Sequence, residues 1–386
     1  MVDESITADV VIVGGGIAGF ASAWFLAREG LDVVVVERDS LAHHASGAAA
    51  GMLAPIGEGE AGSDLQQYGL ASLSRFPTLC EELRSRSGID PELEPSGILR
   101  VAVSAEQARA LETKAAVLRN SGVAVEWLDA EAACAVQPGI SPDVLGALWS
   151  PAESHVRSPL LARAFAGAAQ SLGARIVVGT SVVGVESEGS RVTGVRVTGA
   201  LKGTISAASV VVCAGTWSGA LADWLLAALP TGAVVPSLPP VEPVRGQVLS
   251  LVAPDLSLST IVWGEWAYLV PKRDGSIVVG ATEEYSGFDC RVTAGGMAQL
   301  LAAAPALLPS LRNAEFKRGW AGLRPGSPDG LPSIGRPLGV DGLVVAYGHH
   351  RSGVLFSPIT GALVRDHVLG KVGRGDASAF DPSRFA

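Results

Sequence analysis

A glycine-rich turn between a buried strand and a helix is the feature that most constrains the fold. Gly14-Gly15-Gly16-Ile17-Ala18-Gly19 fits the pattern G-x-G-x-x-G. The β-branched run Val10–Val13 before it predicts a parallel strand that is buried on both faces. Ile17–Glu29 predicts a helix that ends at Gly30, and Leu31–Glu37 predicts a second buried strand. The N-terminal part of the chain therefore predicts a βαβ unit of the Rossmann type.

The spacing of these residues predicts a site for a dinucleotide. Gly14 permits the tight turn, Gly16 lets the backbone approach a pyrophosphate at the helix N-terminus, and Gly19 lets helix and strand pack closely. Glu37 follows Gly19 by 18 residues, where a carboxylate accepts hydrogen bonds from the adenosine ribose. The motif alone does not choose between NAD and FAD, and a glycine-rich turn without a ligand is the alternative.

Two downstream segments favour FAD. His44–Leu53 is rich in small residues, which suits a backbone that lies against a flat, bulky cofactor. Ser209–Cys213 is a further β-branched run, and the turn at Ala214–Thr216 would return the chain to the same nucleotide site. An ordinary flexible loop and an ordinary buried strand are the alternative interpretations of these two segments.

Composition excludes several other classes of protein. At 386 residues, with 48% hydrophobic and 17% charged residues, the chain is long enough for two domains with sizeable cores. A net charge of −9 without a Lys/Arg cluster argues against a nucleic-acid partner. The four cysteines are widely spaced, so we expect no metal site and no disulfide framework, as in the reducing cytoplasm. The uncharged stretch Val10–Ala27 has the length of a marginal membrane span, but its glycines favour strand, turn and helix.

The rest of the chain predicts alternation between two kinds of domain. The capping box at Ser104–Gln107 predicts a helix, and Ser158-Pro159, as N-cap and first helical residue, predicts another that ends at Gly173. An Asp274-Gly275 turn predicts an antiparallel hairpin, and the proline-rich stretch Pro230–Pro243 predicts a connector between domains. Further strands are predicted at Arg175–Val178, Ser181–Val185, Val192–Val197, Gly246–Val252, Trp266–Pro271 and Ser276–Ala281.

Six motifs spread along the chain resemble those of one family. They are GGGIAG, SGAAAGML, AGTWSG, YLVPKRDGSIVVGAT, WAGLRPGSPDGLPSIGR and GHHRSGVLFSP. In these motifs and their order, from Val10 to Val368, the chain resembles the glycine oxidase family, within the D-amino acid oxidase-type flavoproteins. The resemblance implies an α/β fold in which a Rossmann-type FAD-binding domain is interleaved with an α+β substrate domain built on an antiparallel sheet. We expect the FAD-binding domain at 1–85, 150–225 and 325–386, and the substrate-binding domain at 86–149 and 226–324.

The resemblance also implies roles for individual residues. A buried substrate carboxylate needs a cation, best a bidentate arginine. Arg324 matches the carboxylate anchor, Tyr268 the tyrosine whose hydroxyl lies over that carboxylate, and Arg351 a segment along the flavin ring near the substrate. A surface arginine and a half-buried strand tyrosine are the alternatives. The residues expected to contact a non-covalent FAD are Gly14, Gly16, Ile17, Ala18, Gly19, Glu37, Arg38, Ala45, Ser46, Ala50, Gly51, Met52, Val182, Gly215, His349, His350, Arg351, Ser352, Gly353, Val354 and Leu355.

The activity implied is FAD-dependent oxidative deamination of glycine, and of sarcosine or small D-amino acids. The substrate transfers a hydride to the flavin and leaves as an imine, and water and oxygen complete the cycle to an oxo acid, ammonia and hydrogen peroxide. The resemblance further implies a role in thiamine thiazole biosynthesis, a cytoplasmic enzyme and a homo-oligomer, since the family is often tetrameric. Apart from the amino acid and oxygen, we expect no nucleic acid and no stable membrane association.

Several alternatives stay open from the sequence. A D-amino acid dehydrogenase would pass electrons to a membrane quinone, although no basic amphipathic helix is evident. An oxidase of another secondary amine would share these motifs, and an inactive flavin-binding module would leave Arg324 and Tyr268 unexplained. Other relatives attach their flavin to a histidine after the second strand, where this chain has His44.

One position departs from the family pattern. After Gly280-Ala281-Thr282 the family commonly has an apolar residue near the substrate, whereas this chain has Glu283. A carboxylate that faces the pocket would disfavour apolar side chains and favour a second amine. If Glu283 points into solvent, or if the hairpin is shifted by one residue, it has no effect on the choice of substrate.

Overall fold

The computed structural model describes residues 6–233, 235–372 and 379–385, which form two large sheets with helices around them. In chain order the strands are β1 (Ile6–Val13), β2 (Val33–Val36), β3 (Met52–Leu53), β4 (Ile98–Ala102), β5 (Glu126–Asp129), β6 (Gly146–Ser150), β7 (Ser154–His155), β8 (Arg175–Val177), β9 (Thr180–Glu188), β10 (Arg191–Gly199), β11 (Gly203–Val212), β12 (Glu242–Val252), β13 (Ile261–Trp263), β14 (Tyr268–Pro271), β15 (Ser276–Gly280), β16 (Glu315–Gly326), β17 (Ser333–Gly335) and β18 (Leu343–Tyr347). The α-helices are α1 (Ile17–Ala27), α2 (Ala45–Ala48), α3 (Asp64–Leu73), α4 (Phe76–Ser87), α5 (Ala105–Asn120), α6 (Ala130–Val136), α7 (Ser158–Gln170), α8 (Leu221–Ala228), α9 (Ala294–Leu307) and α10 (Ser357–Val368).

The first sheet is built around the predicted βαβ unit. β1 pairs in parallel with β2 on one side and with β11 on the other, in the order β17-β18-β11-β1-β2-β8. All four valines of β2 are buried, as expected for a central parallel strand that helices cover on both faces. α1 packs on this sheet beside α7 and α10, and the antiparallel ribbon β9–β10 continues from β11. The sheet confirms the predicted Rossmann-type α/β fold.

The second sheet is antiparallel apart from one pair. Its order is β16-β12-β15-β14-β13-β4-β6-β5, and only β4 and β13 run parallel. β14 and β15 form the predicted hairpin, with Gly275 at φ +80° in the turn. Leu300, Ala304 and Leu307 of α9 join the core on one face of the sheet. The other face packs on the chain around Ala50 and Ala54, beside the cavity described below.

The two sheets draw their strands from alternating parts of the chain. Residues 6–36, 175–212 and 333–347 supply the first sheet, and residues 98–150 and 242–326 supply the second. This alternation supports the predicted division into an interleaved FAD-binding domain and a substrate domain, whose exact boundaries stay a prediction. Residues 1–5, 234, 373–378 and 386, which fall inside the predicted domains, lie outside the described residues.

The helix predicted from Ser158-Pro159 begins one residue earlier than expected. Arg157, not Ser158, is the N-cap of α7, so Ser158 is the first helical residue and Pro159 the second. The Ser158 hydroxyl does not cap the helix, because it donates a 2.6 Å hydrogen bond to the carbonyl of Ser46. The Ser158 side chain therefore binds a carbonyl that is distant in the sequence and is not free for the capping role that the local pattern predicted. In contrast, Ser104 caps α5 as predicted, and its hydroxyl accepts from the Gln107 amide.

The uncharged stretch near the N-terminus does not form a single apolar helix. It divides into β1, the glycine turn and α1, as its glycines indicated. Within residues 6–233, 235–372 and 379–385, no helix is both long enough and apolar enough to cross a membrane.

Candidate active site

One large cavity, of about 720 Å³, lies between the two sheets. Residues from both sheets line it: the first turn of α1 and the chain after β2, β11 and β18 on one side, and β12, β14 and β16 on the other. All the residues predicted to bind FAD or substrate line this cavity, except Gly19. Gly19 instead faces the Gly14 carbonyl, where a Cβ atom would overlap that oxygen, so it permits the close packing of helix on strand.

The N-terminus of α1 opens directly onto the cavity. Gly14, at φ +107°, has no room for a side chain, because a Cβ would lie 2.5 Å from the Cys213 carbonyl oxygen. Gly16, Ile17 and Ala18 line the cavity, and the Ile17 amide donates to the Ser46 hydroxyl at 2.9 Å. The positive end of the helix dipole therefore faces the cavity, which suits the phosphates of a dinucleotide.

Glu37 stands at the end of the cavity that we assign to the adenosine. Its carboxylate is buried and accepts from the amides of Gly15, at 2.7 Å, and Asp39, at 2.8 Å. These two bonds fix its position and leave carboxylate lone pairs for ribose hydroxyls. The Arg38 guanidinium lies 3.9 Å from the centre of the Trp217 ring, so an aromatic wall borders the same end.

His44, the alternative point of covalent attachment, belongs to this adenosine end. Its Nε2 lies 2.7 Å from Asp39 Oδ2 and 3.1 Å from an Arg38 guanidinium nitrogen. Its ring also contacts that of Trp217, with the two ring planes tilted by 53°. Burial lowers the pKa of His44, against the opposing hydrogen bond to Asp39. This position, beside the residues assigned to the adenosine, supports our prediction of a non-covalent flavin.

Arg324 and Tyr268 meet at the side of the cavity formed by the second sheet. Arg324 Nη1 donates to the carbonyls of Thr282, at 3.1 Å, and Arg245, at 3.5 Å. No carboxylate of the described chain forms an ion pair with Arg324. Burial lowers the pKa of its guanidinium and the nearby charge of Arg351 adds to that effect, while Tyr268 and the more distant carboxylates of Glu283 and Glu58 oppose it. A largely buried cation held only by neutral carbonyls favours an anionic ligand.

Two strand glycines make room for these side chains. Gly246 of β12 lies under the guanidinium, and a Cβ there would be 2.5 Å from Arg324 Nη2. Gly280 of β15 is paired with Tyr268 across the hairpin, and a Cβ there would overlap the tyrosine hydroxyl. Burial raises the pKa of Tyr268, opposed by Arg324 and Arg351, so the hydroxyl stays protonated at neutral pH and can donate to a carboxylate.

Arg351 lies between two carboxylates on the cavity wall. Its guanidinium is 3.8 Å from Glu58 Oε1 and 3.8 Å from Glu283 Oε2, and it faces the Trp263 ring at 5.7 Å. Glu283 therefore faces the cavity, which is one of the orientations considered from the sequence, although 40% of its side chain is exposed. The next residue, Glu284, instead pairs with Arg245. Burial raises the pKa of Glu58, against the nearby charge of Arg351.

Buried polar atoms without a partner also face this cavity. His350 Nε2 and Thr216 Oγ1 are buried and make no hydrogen bond within the described chain, and both residues line the cavity. Such atoms fit a ligand that carries many polar groups, as FAD does. Burial lowers the pKa of His349 to about 4, and its Nε2 lies 2.9 Å from the Thr360 hydroxyl, so this histidine is neutral at pH 7.

Sequence reasoning missed several residues that shape the cavity. Trp217 lies in the motif AGTWSG, but the sequence assigned it no role. Gly280 lies three residues before Glu283 and was likewise given no role. Glu58 and Trp263 lie in segments with no chemical pattern, and only the fold brings them to Arg351. Gly246 could have been suspected only as a glycine inside a predicted strand, which often marks a close approach.

Comparisons with known proteins agree with this geometry. The model of the family "FAD dependent oxidoreductase" matches residues 9–367. The glycine oxidase of Geobacillus kaustophilus (strain HTA426) is 37% identical over 378 residues, which cover 97% of each chain. A crystal structure of glycine oxidase from Geobacillus kaustophilus superposes with a TM-score of 0.91 at 36% identity, over 98% of this chain and 99% of that one. The bifunctional protein ThiO/ThiG of Synechocystis is 36% identical over 98% of this chain, which spans 54% of that longer protein.

The match therefore extends over nearly the whole chain, and it includes the glycine turn, the cavity and both sheets. The residues at the cavity have the chemistry that a flavin dinucleotide needs: a helix N-terminus, a buried carboxylate and unpaired buried polar atoms. This chain belongs to the FAD dependent oxidoreductase family and uses FAD as its cofactor.

Proposed function

We propose that this protein oxidises glycine, and related small amino acids such as sarcosine, to the imine and then the oxo acid. The observation that carries the proposal is the position of Arg324: a largely buried cation without a carboxylate partner in the described chain, beside Tyr268 in the cavity that holds FAD. The full-length similarity to glycine oxidases and to a ThiO/ThiG protein supports glycine as substrate and thiamine thiazole synthesis as the pathway.

Arg324 and Tyr268 bind the substrate carboxylate in this proposal. The guanidinium provides a bidentate ion pair, and the protonated hydroxyl of Tyr268 donates one further hydrogen bond. Both side chains lie on strands of the same sheet, in the room left by Gly246 and Gly280. Because these contacts fix one end of a small molecule, they orient its amine and Cα toward the rest of the cavity.

The chain holds FAD through the N-terminus of α1, Glu37 and the segment from Ala45 to Met52. Bound FAD supplies the two-electron oxidation of the amine, and the protein supplies binding, orientation and electrostatics. The side chains near Arg324 are not placed as an acid–base pair: Tyr268 is protonated, and Glu58 and Glu283 both face Arg351. In this proposal the amino acid loses its ammonium proton to solvent and reacts as the neutral amine, and hydride transfer from Cα then requires no side chain to remove a proton from that carbon.

Two wider properties follow from the same proposal. The resemblance to glycine oxidases favours a cytoplasmic enzyme, and the four cysteines are all free, two of them buried, as expected in a reducing compartment. We propose a homotetramer, in line with that resemblance. Oxygen is the electron acceptor in this proposal, and no specific observation favours a quinone.

Glycine-dependent oxygen consumption by the purified FAD-loaded protein tests this function. We expect hydrogen peroxide and glyoxylate in equal amounts, with sarcosine as a second substrate. Reduction of a quinone analogue by glycine, without oxygen uptake, would instead show a dehydrogenase. Oxidation of other amines but not of glycine would leave the reaction class intact and overturn the substrate.

A further inference from the structure

One short segment, Ala45–Met52, forms part of the cofactor side of the cavity, beside α1 and the chain after β2, β11 and β18, and we call it the wall segment. Several of its carbonyls accept hydrogen bonds from other parts of the fold. Ser158 donates to the Ser46 carbonyl at 2.6 Å, and the Val156 amide donates to the Gly51 carbonyl at 2.9 Å. A segment of small residues has few side-chain contacts of its own, so its shape depends on these external donors.

Two donors to the wall segment come from the substrate sheet. Trp320 of β16 donates from Nε1 to the Ala48 carbonyl at 3.0 Å. Lys272, the residue directly after β14, donates from Nζ to the Ala50 carbonyl at 2.7 Å. The sheet also approaches the segment closely, because a Cβ on Gly322 would overlap the Cβ of Ala48. The substrate sheet thus holds the wall segment at two carbonyls, two residues apart.

The Nζ atom of Lys272 has three hydrogen-bond acceptors around it, one for each N–H of an ammonium group. Lys272 is 9% exposed, and its Nζ also lies 3.0 Å from the Val156 carbonyl and 3.3 Å from His155 Nδ1. Burial lowers the pKa of His155 to about 3, so this ring is neutral and accepts at Nδ1 when its proton is on Nε2. Burial lowers the pKa of Lys272 to about 7, while three neutral acceptors stabilise the ammonium form, which alone has three N–H groups for them.

Both strands that hold the wall segment also carry a residue proposed to bind substrate. Tyr268 and Lys272 are four residues apart along one strand and its extension, and Trp320 and Arg324 are four apart along another. Residues at this spacing lie on the same face of a strand. Each strand thus presents one side chain to the substrate end of the cavity and another to the cofactor wall.

We propose that Lys272 and Trp320 are positioning residues for the cofactor, which hold the wall segment against the substrate sheet in the shape that binds FAD. The proposal rests on the FAD-dependent function above and assigns neither residue a contact with the reacting atoms. Removal of either donor leaves a buried carbonyl of the wall segment unpaired, so the segment moves and the cofactor site is lost in part.

The test measures FAD binding directly, by the fluorescence change on titrating apoprotein with FAD. Lys272→Met keeps the length of the side chain and removes all three N–H groups, and Trp320→Phe keeps a ring and removes a single N–H. We expect each variant to raise the Kd for FAD at least about tenfold. The matched controls, Lys317→Met at an exposed lysine of β16 and Trp127→Phe on β5, leave the Kd unchanged.

Thermal unfolding of the same apoproteins separates positioning from a purely structural role. Weaker FAD binding with an apoprotein Tm close to that of the wild type supports the proposal, and Trp320→Phe provides this test if Lys272→Met does not fold. An unchanged Kd in Trp320→Phe, or a lower Tm with unchanged Kd in both variants, overturns it. If the wild-type protein itself binds no FAD, the proposed function fails, which is a different outcome.

Discussion

At the scale of single residues, the role of each arginine in the cavity depends on whether a carboxylate of the chain pairs with it. Arg351 has two carboxylates at 3.8 Å, whereas Arg324 has only backbone carbonyls among the described residues. In the sequence each arginine stands in a glycine-containing motif, and their different roles, Arg324 as carboxylate anchor and Arg351 along the flavin, were implied only by the family resemblance. The fold adds a physical distinction, because the carboxylates of Glu58 and Glu283 pair with Arg351 and not with Arg324. Arg324 is therefore the site for the substrate carboxylate in our account.

Arg324→Ala should raise the KM for glycine and leave FAD bound. Loss of one partner of a buried charge pair costs about 2–5 kcal/mol, so we expect kcat/KM for glycine to fall by a factor of about 30 or more. Steady-state kinetics and the visible flavin spectrum measure the two effects. Arg312→Ala, at an exposed arginine that does not line the cavity, is the control. Unchanged glycine kinetics in Arg324→Ala would remove the carboxylate assignment.

At the scale of elements, glycines within the strands leave the room that the substrate-binding side chains occupy. The hairpin of β14 and β15 and its turn at Gly275 could be predicted from an Asp-Gly pair between alternating residues. The roles of Gly246 and Gly280 could not, because each makes room for a side chain on a neighbouring strand, which depends on register across the sheet. For a similar reason, the capping role predicted for Ser158 was wrong.

Gly246→Ala should weaken substrate binding although it changes no polar group. The new Cβ would lie 2.5 Å from the Arg324 guanidinium, which must then move. We expect the KM for glycine to rise about tenfold, with little change in FAD affinity, because a displaced ion pair loses on the order of 1 kcal/mol or more. Gly295→Ala is the matched control, since its Cβ meets open space in α9. Equal KM values for the two variants would contradict this role.

At the scale of the whole molecule, the sequence predicted the alternation of two sheets and the identity of most cavity residues. The glycine turn and its spacing to Glu37 predicted a dinucleotide site from the residues themselves, whereas the choice of FAD and the role of Arg324 depended on the family resemblance. Lys272 and Glu58 had no such pattern. Lys272 stands beside a hairpin turn, where a lysine is normally exposed, and it is buried only because residues 50, 155 and 156 surround it.

As the pH falls from 7 to 5, the folded protein should lose stability at pH values above those at which ordinary carboxylates take up protons. The pKa of His349 is about 4 in the fold, against 6.5 for a free histidine, so the unfolded chain binds more protons between these values and stability falls as the pH falls. Between pH 7 and pH 5, the free energy of unfolding of His349→Gln should therefore fall by roughly 2 kcal/mol less than that of the wild type. Urea unfolding of the FAD-loaded proteins at both pH values measures this difference. Parallel losses in the two proteins would show that His349 is not the group responsible.

The central claim is that the cavity binds FAD and glycine together, with Arg324 holding the amino acid. Anaerobic mixing of the purified yellow protein with glycine, followed by air, tests it most directly through the visible flavin absorbance. Our account predicts that glycine bleaches the flavin and that air restores the colour with formation of peroxide, while Arg324→Ala bleaches only at much higher glycine concentrations. A yellow protein that glycine does not bleach at any concentration would contradict the account.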